Sequence, residues 1–331
     1  MDDRKMGNAP SSAEHVPVML ERSVELLAPA VKPDSVLVDC TLGLGGHAEA
    51  LLRAFPGVRL LGIDRDSTAL QLATARLEPY GSRFRTGLGV FDQADAFLDS
   101  LGWGQPSGYL FDLGVSSLQL DSDARGFAYS RETPLDMRMD SDSPMSAADV
   151  LNDYTRGELA QVFSQYGEER HARRIAAAVV ARREQKPLRT SHELTEVVVQ
   201  ALPPGPSRTG HPAKRVFQAL RIEVNDELGA LRRALTGAVR RLAVGGRIVT
   251  LAYHSLEDRI VKRTFLSGTV PSAPADLPVI PDGFGPFLEV VSTGAEKASD
   301  AESAANPRAR SVRLRAVSKT AQVPEHWRGA A

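Results

Sequence analysis

Val36-Leu37-Val38-Asp39-Cys40-Thr41-Leu42-Gly43-Leu44-Gly45-Gly46-His47-Ala48 is the stretch that decides the fold. An apolar run of strand length, 36–40, passes through a glycine-rich turn into a helical pattern over 48–54. Glycines suit such a turn because a ligand approaching the backbone would meet side chains there, and the helix start offers free amide groups. Outward from it, apolar runs at 58–63, 84–88 and 109–113 alternate with amphipathic stretches at 67–77 and 92–101. That is the rhythm of a parallel sheet covered by helices on both faces.

After Gly114 the rhythm lapses. Residues 118–212 contain no convincing buried strand and predict helices near 147–151, 156–166, 168–185 and 191–201. The sheet pattern resumes with a long helix over 213–242, a turn at Gly245-Gly246 and a strand over 247–253. An α/β sheet with an inserted all-α domain is the simplest account. Two segments, 269–285 and 292–307, are rich in Pro, Ala, Ser and Gly and are expected to be mobile loops, while 287–291 and 311–317 read as a closing pair of strands. The expected organisation is a flexible tail at 1–14, the first part of the sheet domain at 15–120, the helical insertion at 121–212, the second part at 213–317 and a C-terminal tail at 318–331.

A chain of 331 residues that is 42% hydrophobic can bury a core of ordinary size. Its single cysteine, Cys40, excludes an intramolecular disulfide framework and suits a reducing compartment. No run approaches the roughly 20 apolar residues that span a bilayer, and the first residues mix both charge signs, so a cytoplasmic protein without a membrane partner is expected. A net charge of -1 argues against a uniformly basic nucleic-acid binder but leaves room for a local basic face.

The second strand ends at Asp64, about 20 residues past the glycines, where a carboxylate can accept both hydroxyls of an adenosine ribose. Asp64 could instead cap the following helix, although Asp66 could serve for that. Gly43, Gly45 and Ala48 also satisfy the dinucleotide pattern, so a nicotinamide oxidoreductase stays open at this point. Phe91, after the third strand, can cover an adenine ring or serve as a core aromatic; Asp112, after the fourth, can reach toward a reacting group or cap a loop.

Seven segments in order carry a resemblance. They are His15-Val16-Pro17-Val18-Met19-Leu20-Glu21, the turn from Gly43 to His47, Asp112-Leu113-Gly114-Val115-Ser116-Ser117, Leu135-Asp136-Met137-Arg138-Met139-Asp140, Tyr166-Gly167-Glu168-Glu169-Arg170, His254-Ser255-Leu256-Glu257-Asp258-Arg259 and Asn306-Pro307-Arg308-Ala309-Arg310-Ser311. In these the chain resembles the bacterial ribosomal RNA small-subunit methyltransferase H family, also called MraW, from His15 to Val317. The resemblance implies a class I S-adenosylmethionine-dependent methyltransferase fold with a helical insertion. It also implies methylation of a cytidine N4 in 16S rRNA near the decoding centre, with the 30S subunit or a late precursor as partner. Gly45, Gly46, His47, Asp64, Phe91, Asp112 and Gln119 are then the residues implied to hold S-adenosylmethionine. Cys40, where the family often has glycine, and Leu118, where it often has proline, depart from the pattern and bear on local loop shape.

Methyl transfer to an exocyclic amine is an in-line displacement that needs alignment and hydrogen-bond acceptors, not a covalent nucleophile. Asp112 and His254 are the catalytic candidates, Asp112 with a cofactor role as its alternative and His254 with simple packing as its own. Ser255 with Asp258 resembles a capping box for a helix over 256–265. His15 and His47 have no second ligand at close spacing, so no metal is expected. The target base must leave its stack. Arg170, His171, Arg173, Arg174, Arg182, Arg183, Lys186, Lys214 and Arg215 are the candidate RNA-holding charges, with the solvated face of amphipathic helices as their alternative, and Arg308, Arg310, Arg313 and Arg315 could extend the basic surface. A noncatalytic ribosome-assembly factor on the same fold and a DNA methyltransferase are the competing readings.

Overall fold

The computed structural model describes residues 17–114, 126–127, 132–203, 211–273, 281 and 283–329. Five parallel strands, β1 (Val36–Asp39), β2 (Arg59–Asp64), β3 (Phe84–Leu88), β4 (Gly108–Asp112) and β5 (Arg247–Ala252), are joined by the antiparallel β6 (Leu288–Val290) and β7 (Arg313–Lys319). They form one sheet in the order β3-β2-β1-β4-β5-β7-β6. This is the class I methyltransferase form of the doubly wound α/β fold.

Strand periodicity sorts the apolar residues into two cores. Leu37, Leu60, Leu110, Val249 and Leu314 face a layer made by α1 (Leu20–Leu27), α2 (Gly46–Ala54) and α3 (Ser67–Leu77). Val38, Ile63, Phe111 and Ile248 face the other way, toward α4 (Ala94–Ser100) and the helices that follow the insertion.

Of the inserted helices α5 (Ala147–Asp153), α6 (Arg156–Gln165), α7 (Ala172–Gln185) and α8 (Ser191–Ala201), all but α7 begin where the sequence supplies a side-chain cap. Ser146 with Asp149, Thr155 with Glu158 and Thr190 with Glu193 are capping boxes. Lys186 and the amides of Arg189 and Thr190 hold the Glu193 carboxyl down at about 2. Phe163, Ile175, Leu194 and Leu220 belong to a third core.

The expected single helix over 213–242 is two helices, α9 (Lys214–Asn225) and α10 (Glu227–Arg241). Asp226 between them has φ of 46°, a left-handed conformation that ends a right-handed helix. The break lets α9 bury Val216 and Phe217 in the insertion's core while α10 buries Leu231 and Leu235 under the sheet. A left-handed Glu168 (φ 47°) delays α7 to Ala172, so the helix expected from 168 is shorter. After α11 (Ser255–Thr269), the stretch expected as a loop at 292–307 includes α12 (Asp300–Ala305), capped by Ser299. Nor do residues past 317 form a mere tail. Lys319 ends β7, donates from Nζ to the carbonyls of Arg240 and Leu242 at 2.9 and 2.7 Å, and is lowered to about 8 by burial. Trp327 is buried edge-on to Phe287. The N-terminal tail expected at 1–14 lies outside the described residues, and among the described residues no helix is long and apolar enough to cross a membrane.

One buried side chain joins the insertion to the sheet domain. Asn225 Nδ2 donates to the carbonyls of Met137 and Arg221 at 2.7 and 2.9 Å, and its Oδ1 accepts from the Met139 amide at 2.8 Å. Its own carbonyl accepts from Arg65 after β2. At the end of β1, Asp39 and Cys40 are both 1% exposed. Burial pushes the Asp39 carboxyl up to about 7, against a hydrogen bond from the Thr41 amide, with Asp112 and Asp64 adding repulsion. Burial likewise holds the Cys40 thiol well above its usual value.

Two outcomes follow. Asn225→Ala strands the Met139 amide and the Met137 carbonyl in the interior, and should cost about 2 kcal/mol or more in chemical denaturation with an unchanged m-value. Because the folded Asp39 titrates near 7 and the unfolded one near its ordinary 3.8, its contribution to stability is present below about 4 and lost as pH rises through 7. Asp39→Asn should therefore flatten that part of the stability-versus-pH curve in urea melts between pH 4 and 8.

Candidate active site

The carboxyl ends of β1 to β5 open on one cavity of about 530 Å³, which Phe127, Met137, Met139 and α9 line from the helical side. In the turn after β1, Gly43 has φ of 51°, and a Cβ there would meet only the Thr41 carbonyl, at 3.9 Å. Gly45 does not line the cavity. Its φ of 78° and the 3.1 Å approach that a Cβ would make to Leu77 tie it to the packing of α3. Gly46 does line it, and a Cβ there would collide with Pro17, which crosses the start of α2.

Asp64 lies on the cavity wall with both oxygens fixed, Oδ2 by the Gly43 amide at 2.8 Å and Oδ1 by the Asp66 amide at 2.9 Å. Burial raises its carboxyl above the usual range against those two amides. The cap of α3 is Asp66, which accepts from the Thr68 and Ala69 amides at 3.0 and 3.4 Å. Phe91 lines the cavity and also meets Phe111 edge-on at 6.0 Å, so it is both wall and core. Gln119 and Leu118 lie outside the described residues.

Asp112 is constrained at both its backbone and its carboxylate. Its amide donates to Thr41 Oγ1 at 2.6 Å, its Oδ1 accepts from the Tyr253 hydroxyl at 2.6 Å, and its Oδ2 is 3.7 Å from His47 Nδ1. His47 Nε2 in turn is 3.2 Å from the Val18 carbonyl, so the ring is braced from both ends. Burial pushes the Tyr253 phenol far up, with the Asp112 carboxylate adding to the shift, which keeps Tyr253 a neutral donor. The sequence pattern did not single out Tyr253, although its place at the carboxyl edge after β5 was the available signal.

His254 also lines the cavity, at the start of α11. The box expected between Ser255 and Asp258 is not formed. Glu257 instead accepts from the Tyr253 and His254 amides at 2.8 and 3.2 Å, Asp258 pairs with Arg313 and Arg315, and Ser255 donates to Glu168. Burial works to raise Glu257, but His254, Arg221 and the backbone hold it below the usual range. His254 Nε2 is 3.1 Å from Glu257 Oε1, while Nδ1 is buried without a hydrogen-bond partner among the described residues. Glu227 completes a trio of potential metal ligands with these two, yet Arg221 already spans Glu227 at 2.8 and 2.9 Å.

Of the candidate RNA-holding charges, Lys214 and Arg308 line the cavity. Arg182 and Arg183 donate to the carbonyls of Lys186 and Leu151, Lys186 pairs with Glu193, Arg215 donates to the Glu168 carbonyl, and Arg313 and Arg315 are tied to Asp258. Arg173 and Arg174 are exposed on α7.

Comparison with known proteins agrees with the motifs. The model of the MraW methylase family matches residues 12–320. A protein of Beutenbergia cavernae named ribosomal RNA small subunit methyltransferase H is 55% identical over 319 residues, covering 96% of each chain. One of the same name from Saccharopolyspora erythraea is 56% identical over 307 residues, covering 92% of this chain and 93% of that one. A crystal structure of an rRNA methylase from Streptococcus thermophilus aligns over 91% of this chain and 96% of its own, at 11% identity and a TM-score of 0.42. With its family model matched almost end to end and more than half of its residues shared with relatives of similar length, this chain belongs to the MraW methylase family.

Proposed function

We propose that this chain methylates the exocyclic N4 amine of one cytidine in 16S rRNA, near the decoding centre, within the 30S subunit or a late precursor. The family is S-adenosylmethionine-dependent, and its named relatives act on small-subunit ribosomal RNA. The Asp112 carboxylate carries the finer reading. It is an acceptor held at the carboxyl edge by a neutral tyrosine, facing a cavity of the size small ligands occupy.

The residues present fit the cofactor. Asp64 offers a partly buried carboxylate to ribose hydroxyls, Gly43 and Gly46 line the cavity in the turn that Gly45 helps to shape, and Phe91 offers an aromatic face. His47 and Asp112 bound the same wall, and Gln119 belongs to the proposed set by its motif. S-adenosylmethionine supplies an electrophilic methyl when bound.

Everything else falls to the protein. The cytosine amine is a weak nucleophile because its lone pair is shared with the ring. Asp112 can accept an N–H bond that favours the pyramidal, attacking form of that amine. The Tyr253 hydroxyl holds the carboxylate, His47 stands beside its other oxygen and Thr41 anchors the Asp112 backbone amide, so little reorganisation remains at the moment of reaction. His254, oriented by Glu257, presents its unused Nδ1 as a second acceptor for the base or for the released proton.

Labelled methyl should pass from S-adenosylmethionine to 30S subunits isolated from cells lacking this protein, with N4-methylcytidine as the product in nucleoside mass spectrometry. Transfer to DNA, or to a different atom, would replace this assignment. Asp64→Ala should weaken S-adenosylmethionine binding by roughly ten- to a hundredfold in calorimetry, the loss expected for a charged hydrogen-bond acceptor. Asp112→Asn should lower kcat by about a hundredfold with a smaller change in cofactor affinity. Equal losses in both would make Asp112 a cofactor ligand alone.

A further inference from the structure

A second cavity, of about 430 Å³, lies outside the site described above, between the end of α6 and the outer faces of α10 and α11. Its floor is apolar, with Leu228, Leu256 and Ile260, and its rim carries three guanidinium groups, Arg232, Arg259 and Arg263. All three arginines are exposed. Among the described residues only Arg259 has a carboxylate partner, Glu168 at 2.8 Å. Among the described residues Arg232 donates only to the Leu228 carbonyl of its own helix, and Arg263 has neither a hydrogen bond nor an ion pair. Three cations facing one acidic group leave an excess positive charge of about two around a concave, partly apolar cleft.

We infer that this cleft binds the sugar-phosphate backbone of the substrate RNA, Arg232 and Arg263 each taking a phosphate while the apolar floor covers ribose or base. The inference rests on the RNA-methylating function proposed above. Position supports the assignment. Arg259 and Arg263 sit five and nine residues beyond His254 on α11, about 8 to 14 Å along the helix from the cavity wall. A strand held there is within short reach of a base delivered to Asp112. The composition fits as well, because arginine matches phosphate in a fork geometry and remains charged at every working pH. None of these three arginines lies on the basic stretches that the sequence pattern singles out, because they come from two helices and meet only in the folded chain.

Arg232→Glu/Arg263→Glu, with Arg53→Glu on the distant α2 as a control, tests the cleft. The readouts are filter binding of 16S rRNA across a salt series, KM for 30S subunits and S-adenosylmethionine affinity. The double variant should bind RNA at least tenfold more weakly and show a log-log salt slope smaller by about one per arginine. It should also raise KM for 30S subunits while leaving cofactor affinity and melting temperature at wild-type values. Unchanged RNA affinity and salt slope in a folded double variant would overturn the cleft as a phosphate site, as would losses equalled by Arg53→Glu. Inorganic phosphate that protects the cleft while RNA does not compete would assign it to a free anion and overturn the RNA assignment. The underlying function fails separately, if the wild-type protein does not methylate 30S subunits at all; RNA binding by the cleft is read independently of methyl transfer.

Discussion

Three carboxylates, Asp39, Asp64 and Asp112, end neighbouring parallel strands at one edge of the sheet, and the cost of burying acidic groups there is the constraint around which the cavity is arranged. Each is accommodated differently. Asp39 is driven toward its neutral form, Asp64 is embraced by two backbone amides, and Asp112 is bonded by a phenol that burial keeps protonated. The result is a wall on which hydrogen-bond donors face Asp64 and Asp112 while burial draws Asp39 toward its neutral form. A parallel sheet makes this possible because all its strands deliver their last residues to the same side.

The other wall depends on a helical unit that must close over that edge without fusing with it. Asn225 fastens the segment around Met137 by two hydrogen bonds and its own helix by a third, to the Arg221 carbonyl, and Arg65 fastens Asn225 back to the sheet domain. Glu168 makes a second joint, accepting from Ser255 and pairing with Arg259 at the start of α11. Both joints lie beside residues in left-handed conformations, Asp226 and Met137 at the first and Glu168 at the second, which turn the chain sharply where the two units meet.

The parts legible in the sequence are those set by local pattern. The strand and turn of 36–48 follow from apolar runs and glycines, and the boundaries of α3 and α8 follow from caps written beside them. Asp64 and Asp112 were visible because each ends a readable strand. Tyr253 and Asp39 were not, because a phenol donating across the sheet and a carboxyl losing its charge are products of three-dimensional neighbours. The division of 213–242 at Asp226 was hidden for a similar reason: its heptad-like apolar spacing continues through the break, and only the competing demands of two cores explain it. At His254 the motif was read as a cap with the wrong partner, since both Glu257 and Asp258 offer a carboxylate and the distant arginines of β7 claim the second.

Cys40 gives the molecule a built-in reporter. Its thiol is buried beside the glycine-rich turn and stays in the unreactive protonated form for as long as the sheet edge is intact. Alkylation of this one thiol therefore reports every opening, local or global, that uncovers the end of the first strand, so the rate at which a thiol reagent consumes the native protein measures how often the wall of the cavity comes apart.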